Sequence, residues 1–268
     1  MGKHVCGEEP LAAAARYLAD RGHAVELHIH PEFKAHAETR VGDLEENIFR
    51  YSADAQRALI REGLDDIERW TGRRPIAFRA GAFGACPGVL EIAAQEGIRF
   101  DSSYNLWAIG QGPSGFDAAL GLNDAAPLGN LLEVPVTNLA VRLSRTGLKP
   151  FELSSLSTME MAAAAEDLWA SGHRVCCSLT HSFRLVRSRE RQYRRVRADG
   201  MNIHRLRALA RYLRARPDRF EIVTFDDLPA QQWMAERRRS DSRPLPSPPL
   251  WASATRLAVQ AFKDWGVV

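Results

Sequence analysis

Two imidazoles stand two residues apart in the stretch VELHIHPEF, residues 25–33. In an extended strand positions i and i+2 share a face, so His28 and His30 point one way while Leu27 and Ile29 point the other. Neutral imidazole nitrogens are borderline ligands, and two on one face can converge on Zn²⁺ or a similar divalent ion. A pair is an incomplete ligand set, and His-x-His also occurs on strands that hold no metal. Glu32 and His36 are the nearby alternative ligands, while His23, beside Gly22, reads as a turn residue.

Two further stretches place chemically useful side chains at the ends of apolar runs. FRAGAFG, residues 78–84, ends a strand pattern on Arg79 and follows it with glycines that let backbone approach closely. An arginine there can orient a carboxylate or a substrate oxygen through its rigid fork, or simply sit at the rim of the fold. SLTHSF, residues 178–183, ends another run on His181, a candidate general acid, although a single histidine is more often structural. Asp101 closes a third run, IRFDSSY.

The elements that must carry these residues alternate along the chain. A helix is predicted from Pro10 to Gly22, then the strand AVELHIH. Ser52 caps a long helix through Trp70 with Leu59, Ile60, Leu64 and Ile67 on one face, before the strand IAFRAG. Pro87 opens a third helix, followed by IRFDSSY, a Gly-rich loop from Gly110 to Gly129, and the strand LLEVPVT. Ser157-x-x-Glu160 has capping-box form ahead of the next helix. RVCCSLTH, a helix from about Asn202 to Ala215, and FEIVTF complete the series.

Six β-branched strands separated by helices predict an α/β fold, a parallel barrel or a doubly wound sheet, with the barrel preferred. His28, Arg79, Asp101 and His181 then lie at strand C-termini, where both architectures place their sites. The domain expectation is a barrel over 1–239, a Pro-rich linker over 240–250 and an amphipathic helix over 251–268, with Leu257, Ala261, Phe262 and Trp265 aligned for packing.

At 268 residues and 45% hydrophobic, the chain can bury a sizeable core. No run of about 18 apolar residues predicts a membrane span, and MGKHVCGEEP lacks the apolar region of a signal peptide, so a cytoplasmic location is expected. Cys6, Cys86, Cys176 and Cys177 form no C-x-x-C pair and read as reduced, buried thiols. Net charge is only +3, yet 13 arginines fall between Arg184 and Arg219 against Glu190, Asp199 and Asp218. That segment could face an anionic partner, but without interleaved aromatics nucleic acid is disfavoured as one.

Taken in order, these stretches resemble the polysaccharide deacetylase family, the NodB-homology carbohydrate esterases. RGHAVELHIHPEF is similar to the family's second motif, RPIAFRAGAFG to the third with its arginine, FDSSYN and LLEVPVT to the stretches around the fourth, and LTHSF to the fifth. The resemblance runs from about Pro10 to Phe225. It implies a distorted (β/α) barrel in which a divalent metal, Zn²⁺ first and Co²⁺ or Ni²⁺ as alternatives, activates water to remove acetyl groups from a polysaccharide or amino sugar. By the same resemblance His28 and His30 hold the metal, Arg79 sets the catalytic carboxylate, and His181 protonates the departing amine. Many members space the histidines four apart, which would put Glu32 in the second position.

The family's first motif, T-F-D-D in most members, supplies the base and the metal-binding aspartate, and it has no counterpart upstream of the first helix. The barrel is therefore expected to be incomplete at its N-terminal side. A truncated gene product, a non-catalytic carbohydrate-binding relative and a rearranged site are the competing readings; a polyanion binder is a further alternative. A rearranged site would use Asp226 or Asp227 of TFDD, residues 224–227, whose simpler reading is capping of the short helix LPAQQWM. An unclosed parallel sheet would expose an edge and favour oligomers.

Overall fold

The computed structural model describes residues 7–34, 45–109, 111, 114–142, 144–188, 190, 194–236, 243–254 and 256. His36, Cys6 and the predicted stripe at Leu257, Ala261, Phe262 and Trp265 lie outside them. The chain divides into two compact units, one of residues 1–135 and 223–241, the other of 136–222 and 242–268.

The first unit is a mixed α/β layer. Strands β1 (Leu27–Ile29), β2 (Ala77–Ala80), β3 (Phe100–Asp101), β4 (Ala126–Leu128) and β5 (Leu131–Glu133) form one sheet in the order β1-β2-β3-β5-β4. All its pairs are parallel except the β4–β5 hairpin, so the mostly parallel α/β class expected from sequence is present. Among the described residues no ladder joins β1 to β4. The β4 strand lies within the stretch expected to be a Gly-rich loop. It turns into β5 through Gly129, whose φ of 65° suits a residue without Cβ, and Pro127 sits on the edge strand, where a missing N–H is tolerated.

Helix α2 (Ala53–Thr71) and helix α3 (Pro87–Gln95) pack on the sheet, and helix α1 (Glu8–Ala19) packs on α2. The Ser52 hydroxyl accepts from the Ala55 N–H at 3.3 Å at the start of α2, and Gly72 closes the helix at φ 74°, as the capping pattern predicts. Leu59, Ile60, Leu64 and Ile67 bury against Leu27, Ile29, Phe78 and Leu90 in a single core. The alternation read from sequence holds on β1: Leu27 and Ile29 are buried and His28 is exposed.

The second unit has two short hairpins, β6 (Asn138–Ala140) with β7 (Leu148–Pro150) and β8 (Val186–Arg187) with β9 (Arg197–Ala198). Helix α4 (Thr158–Ala170) opens with the predicted capping box: Ser157 Oγ accepts from the Glu160 N–H, and a Glu160 oxygen accepts from the Ser157 N–H. Helix α5 (Gly200–Arg214) is capped by Asp199.

Two predicted strands are corrected. RVCCSLTH makes only an isolated bridge, Leu179 to Glu152, and FEIVTF forms no strand, with Ile222 at 62% exposure. β-Branched residues stabilise a strand through cross-strand packing, and neither segment has a ladder to join among the described residues. The thiols are also corrected in part: Cys86 and Cys177 are only half-buried, and Cys176 is exposed by residue surface although burial pushes its thiol up to about 12.

Candidate functional site

Parallel register places the first candidates side by side. His28 on β1 is opposite Arg79 on β2, and Phe78 on β2 is opposite Asp101 on β3, which in turn is opposite Glu133 on β5. Four adjacent strands thus carry His28, Arg79, Asp101 and Glu133 at or near their C-terminal ends, where α/β sheets build sites.

The two imidazoles stand on the same side of β1, ring centroids 4.7 Å apart and edge to face. His28 Nδ1 lies 2.7 Å from the Arg79 carbonyl oxygen. A carbonyl only accepts, so a proton sits on Nδ1, and in the neutral form of the ring the lone pair is on Nε2. His30 Nδ1 lies 2.7 Å from Glu32 Oε1, and donation to that carboxylate fixes the same tautomer. Both rings therefore present the ligating form of Nε2, with an outer oxygen holding each orientation, the arrangement that metal-binding histidines use. Glu32 is thereby placed behind His30 rather than beside it, and its Oε2 is buried without a hydrogen-bond partner. These features fit two ligands of a divalent ion. Among the described residues, however, no group of three or more His, Cys, Asp or Glu side chains that could hold a metal occurs.

The turn after β2 packs directly on this pair. A Cβ on Gly81 would come within 2.6 Å of the Ile29 carbonyl oxygen and 2.8 Å of His30 Nδ1, so only glycine admits the approach. Ala82 and Phe83 follow at φ 50° and 58°, two consecutive non-glycine residues in the left-handed region. Such strain persists where surrounding structure imposes it, commonly at functional sites.

Arg79 points its fork into the next strand: Nε donates to the Ser102 carbonyl at 2.8 Å and Nη2 to Ser102 Oγ at 2.6 Å. Asp101 and Glu133 are fully buried and hydrogen-bonded to one another. Asp101 also accepts from the Ser103 N–H and hydroxyl at 2.9 and 2.8 Å, and Glu133 from the Tyr104 N–H at 3.1 Å. A hydrogen bond between two carboxyls requires a proton on one of them, and burial pushes Asp101 up, against the hydrogen bonds from Glu133 and Ser103 and the charge of Arg79.

No family profile matches the chain, and no curated protein matches it. A solved structure does share its fold. That structure, from Mycobacterium smegmatis and described as a candidate polysaccharide deacetylase, superposes at a TM-score of 0.52 with 17% sequence identity, covering 91% of this chain and 73% of the other. At this identity the likeness is one of fold.

The remaining candidates have other local surroundings. His181 belongs to the second unit, caps a 3₁₀ turn there, and stacks on Phe183 with centroids 4.9 Å apart. Asp226 pairs with Arg73 at 2.5 Å, and Asp227 accepts from the Thr224 N–H and hydroxyl at 2.7 and 2.8 Å, which caps the 3₁₀ turn Phe225–Asp227 rather than the helix that follows it. The sequence reading did not single out Glu133; its one signal was a carboxylate within the apolar run LLEVPVT.

Glu32→Gln keeps an acceptor for His30 Nδ1 and removes the charge behind it. A divalent ion at the pair is expected to bind about 10-fold more weakly in this variant, measured by titration with Zn²⁺, with the fold unchanged by circular dichroism.

Proposed function

We propose that the chain is a metal-dependent hydrolase of the polysaccharide deacetylase type, removing acetyl groups from an amino-sugar polymer or its precursor. The observation that carries this reading is the pair His28 and His30, both held in the Nε2-ligating tautomer by outer oxygens at the C-terminal side of a parallel sheet. The structural likeness to the Mycobacterium smegmatis protein lends it support at the level of fold.

Imidazole donors select Zn²⁺, Co²⁺ or Ni²⁺ over harder ions. An ion of this kind supplies a bound water whose pKa falls towards about 7 and polarises the acyl carbonyl. Within the reading His28 and His30 hold the ion, Arg79 fixes the wall of β3 through Ser102, and His181 is the proton donor to the leaving amine. Among the described residues no third metal-ligating group joins the pair, and Asp101 and Glu133 bond each other and the turn Ser103–Tyr104.

That same gap favours a second reading, a carbohydrate-binding relative without catalysis. Acetate release from N-acetylated chito-oligosaccharides in the presence of added Zn²⁺ separates the two. Release that is lost in His181→Ala is the expected result for the hydrolase. Bound metal and retained oligosaccharide binding without acetate would leave the binder, and a protein that takes up no metal would remove both the ion and the hydrolase.

A further inference from the structure

The modest net charge conceals a division between the two units. The first unit's sequence has 16 Lys and Arg against 24 Asp and Glu, net −8, and the second has 20 against 9, net +11. Most arginines of the second unit are at the surface, where solvent suffices. Arg205, on α5, is different: only 7% of it is exposed. Its Nη1 donates to the Ser154 carbonyl at 3.1 Å and to Asn202 Oδ1 at 3.3 Å, both neutral, and Nε and Nη2 have no partner among the described residues.

A buried guanidinium normally faces a carboxylate, because an uncompensated charge away from water is costly. Asp199 and Glu160 attract Arg205 through space, but their oxygens bond other groups. Glu160, fully buried, takes Arg256 Nε at 3.1 Å and Ser253 Oγ at 2.8 Å on one oxygen and the Ser157 N–H at 2.8 Å on the other. Asp199 pairs with Arg187 at 2.7 Å and caps α5. Lys149, on β7, is half-buried beside the same turn and donates one of its three protons, to the Ser155 carbonyl at 3.0 Å. Burial, followed by the charge of Arg256, holds its ammonium below the ordinary lysine range.

We propose that Arg205 and Lys149, converging on the turn Ser154–Ser155, form a site for a phosphate-type oxyanion. The Nε–Nη2 edge of a guanidinium is the fork that takes two oxygens of such a group, and an ammonium adds a point charge beside it. An anion there would add negative charge beside Arg205, Lys149 and Arg256, which Glu160, Asp199 and Glu152 otherwise face. This site stands independently of the imidazole pair and of the hydrolase reading.

Calorimetric titration of the full chain with inorganic phosphate, at ionic strength fixed with chloride, tests it. Saturable binding and a rise in Tm are expected, and both Lys149→Gln and Arg205→Lys are expected to weaken binding about 10-fold or more while keeping the fold. Arg205→Lys retains the charge and loses the fork, so its loss of affinity separates a built site from general attraction. Glucose 1-phosphate binding more tightly than inorganic phosphate would identify a sugar phosphate as the ligand, and equal binding would identify free phosphate. No saturable effect beyond chloride, or equal binding in both variants, would overturn the proposal and leave the two cations as clamps on the turn. Salt-steep oligonucleotide binding indifferent to both variants, without phosphate binding, would overturn it too, in favour of the exposed arginines.

Discussion

Replacing His28 by alanine is expected to weaken Zn²⁺ binding by more than about 100-fold, beyond the roughly 10–100-fold that loss of an outer partner costs a metal site. The ring is exposed on the solvent side of β1 while Leu27 and Ile29 hold the strand in the core, so truncation leaves the packing intact. Thermal unfolding should therefore shift little, within the ±0.5 kcal/mol usual for surface substitutions. Metal content after dialysis, measured on the wild type and the variant together, is the check. Removing His28 also strips a donor from the Arg79 carbonyl, which β1 and β2 bring opposite it. A wild type that takes up no metal, or a variant that retains it, would end the metal reading, whatever the fold.

The part of this site legible in sequence is the part that depends on local rules. A period of two puts His28 and His30 on one face, whatever surrounds them, and the structure keeps them there. Ser52 and the Ser157–Glu160 box could be read because a cap is satisfied within three residues of itself. What could not be read depends on partners distant in the chain. FEIVTF and RVCCSLTH have strand composition, but composition does not supply a neighbouring ladder. Glu133 looks like one polar residue in an apolar run until parallel register sets it opposite Asp101. The left-handed pair Ala82–Phe83 has no glycine to announce it; it follows from the close approach of Gly81 to His30, which is a tertiary fact. Glu32 was visible as a candidate ligand, and only the geometry turns it into the group that orients one.

The Asp101–Glu133 pair carries the largest expected effect on stability. Asp101→Ala removes the acceptor of the Ser103 N–H and hydroxyl and leaves the Arg79 charge and Glu133 without their buried counterpart, a change expected to cost about 3–5 kcal/mol. Asp101→Asn is the gentler probe, because an amide keeps the shape and a hydrogen bond to Glu133. Its value lies in pH. The Asp101 carboxyl is raised by burial, so the folded chain retains a proton that the unfolded chain releases above the ordinary aspartate value of 3.8. Folding then binds more protons than unfolding, and the stability contributed by this group is full below that value and is lost as pH rises through the raised folded-state value. Urea unfolding across this window should show wild-type stability falling relative to Asp101→Asn, with a slope of up to about 1.4 kcal/mol per pH unit for one proton. Taking the difference between the two proteins cancels the carboxylates of Glu45, Glu96 and Glu166, which are lowered by their hydrogen bonds to Asn47, Arg61 and Tyr212 and act with the opposite sign. Parallel curves for the two proteins would mean that the pair carries no shared proton, and Arg79 would then be left as the neutralising partner of two ionised carboxylates, a burial that the sheet could sustain only with water among them.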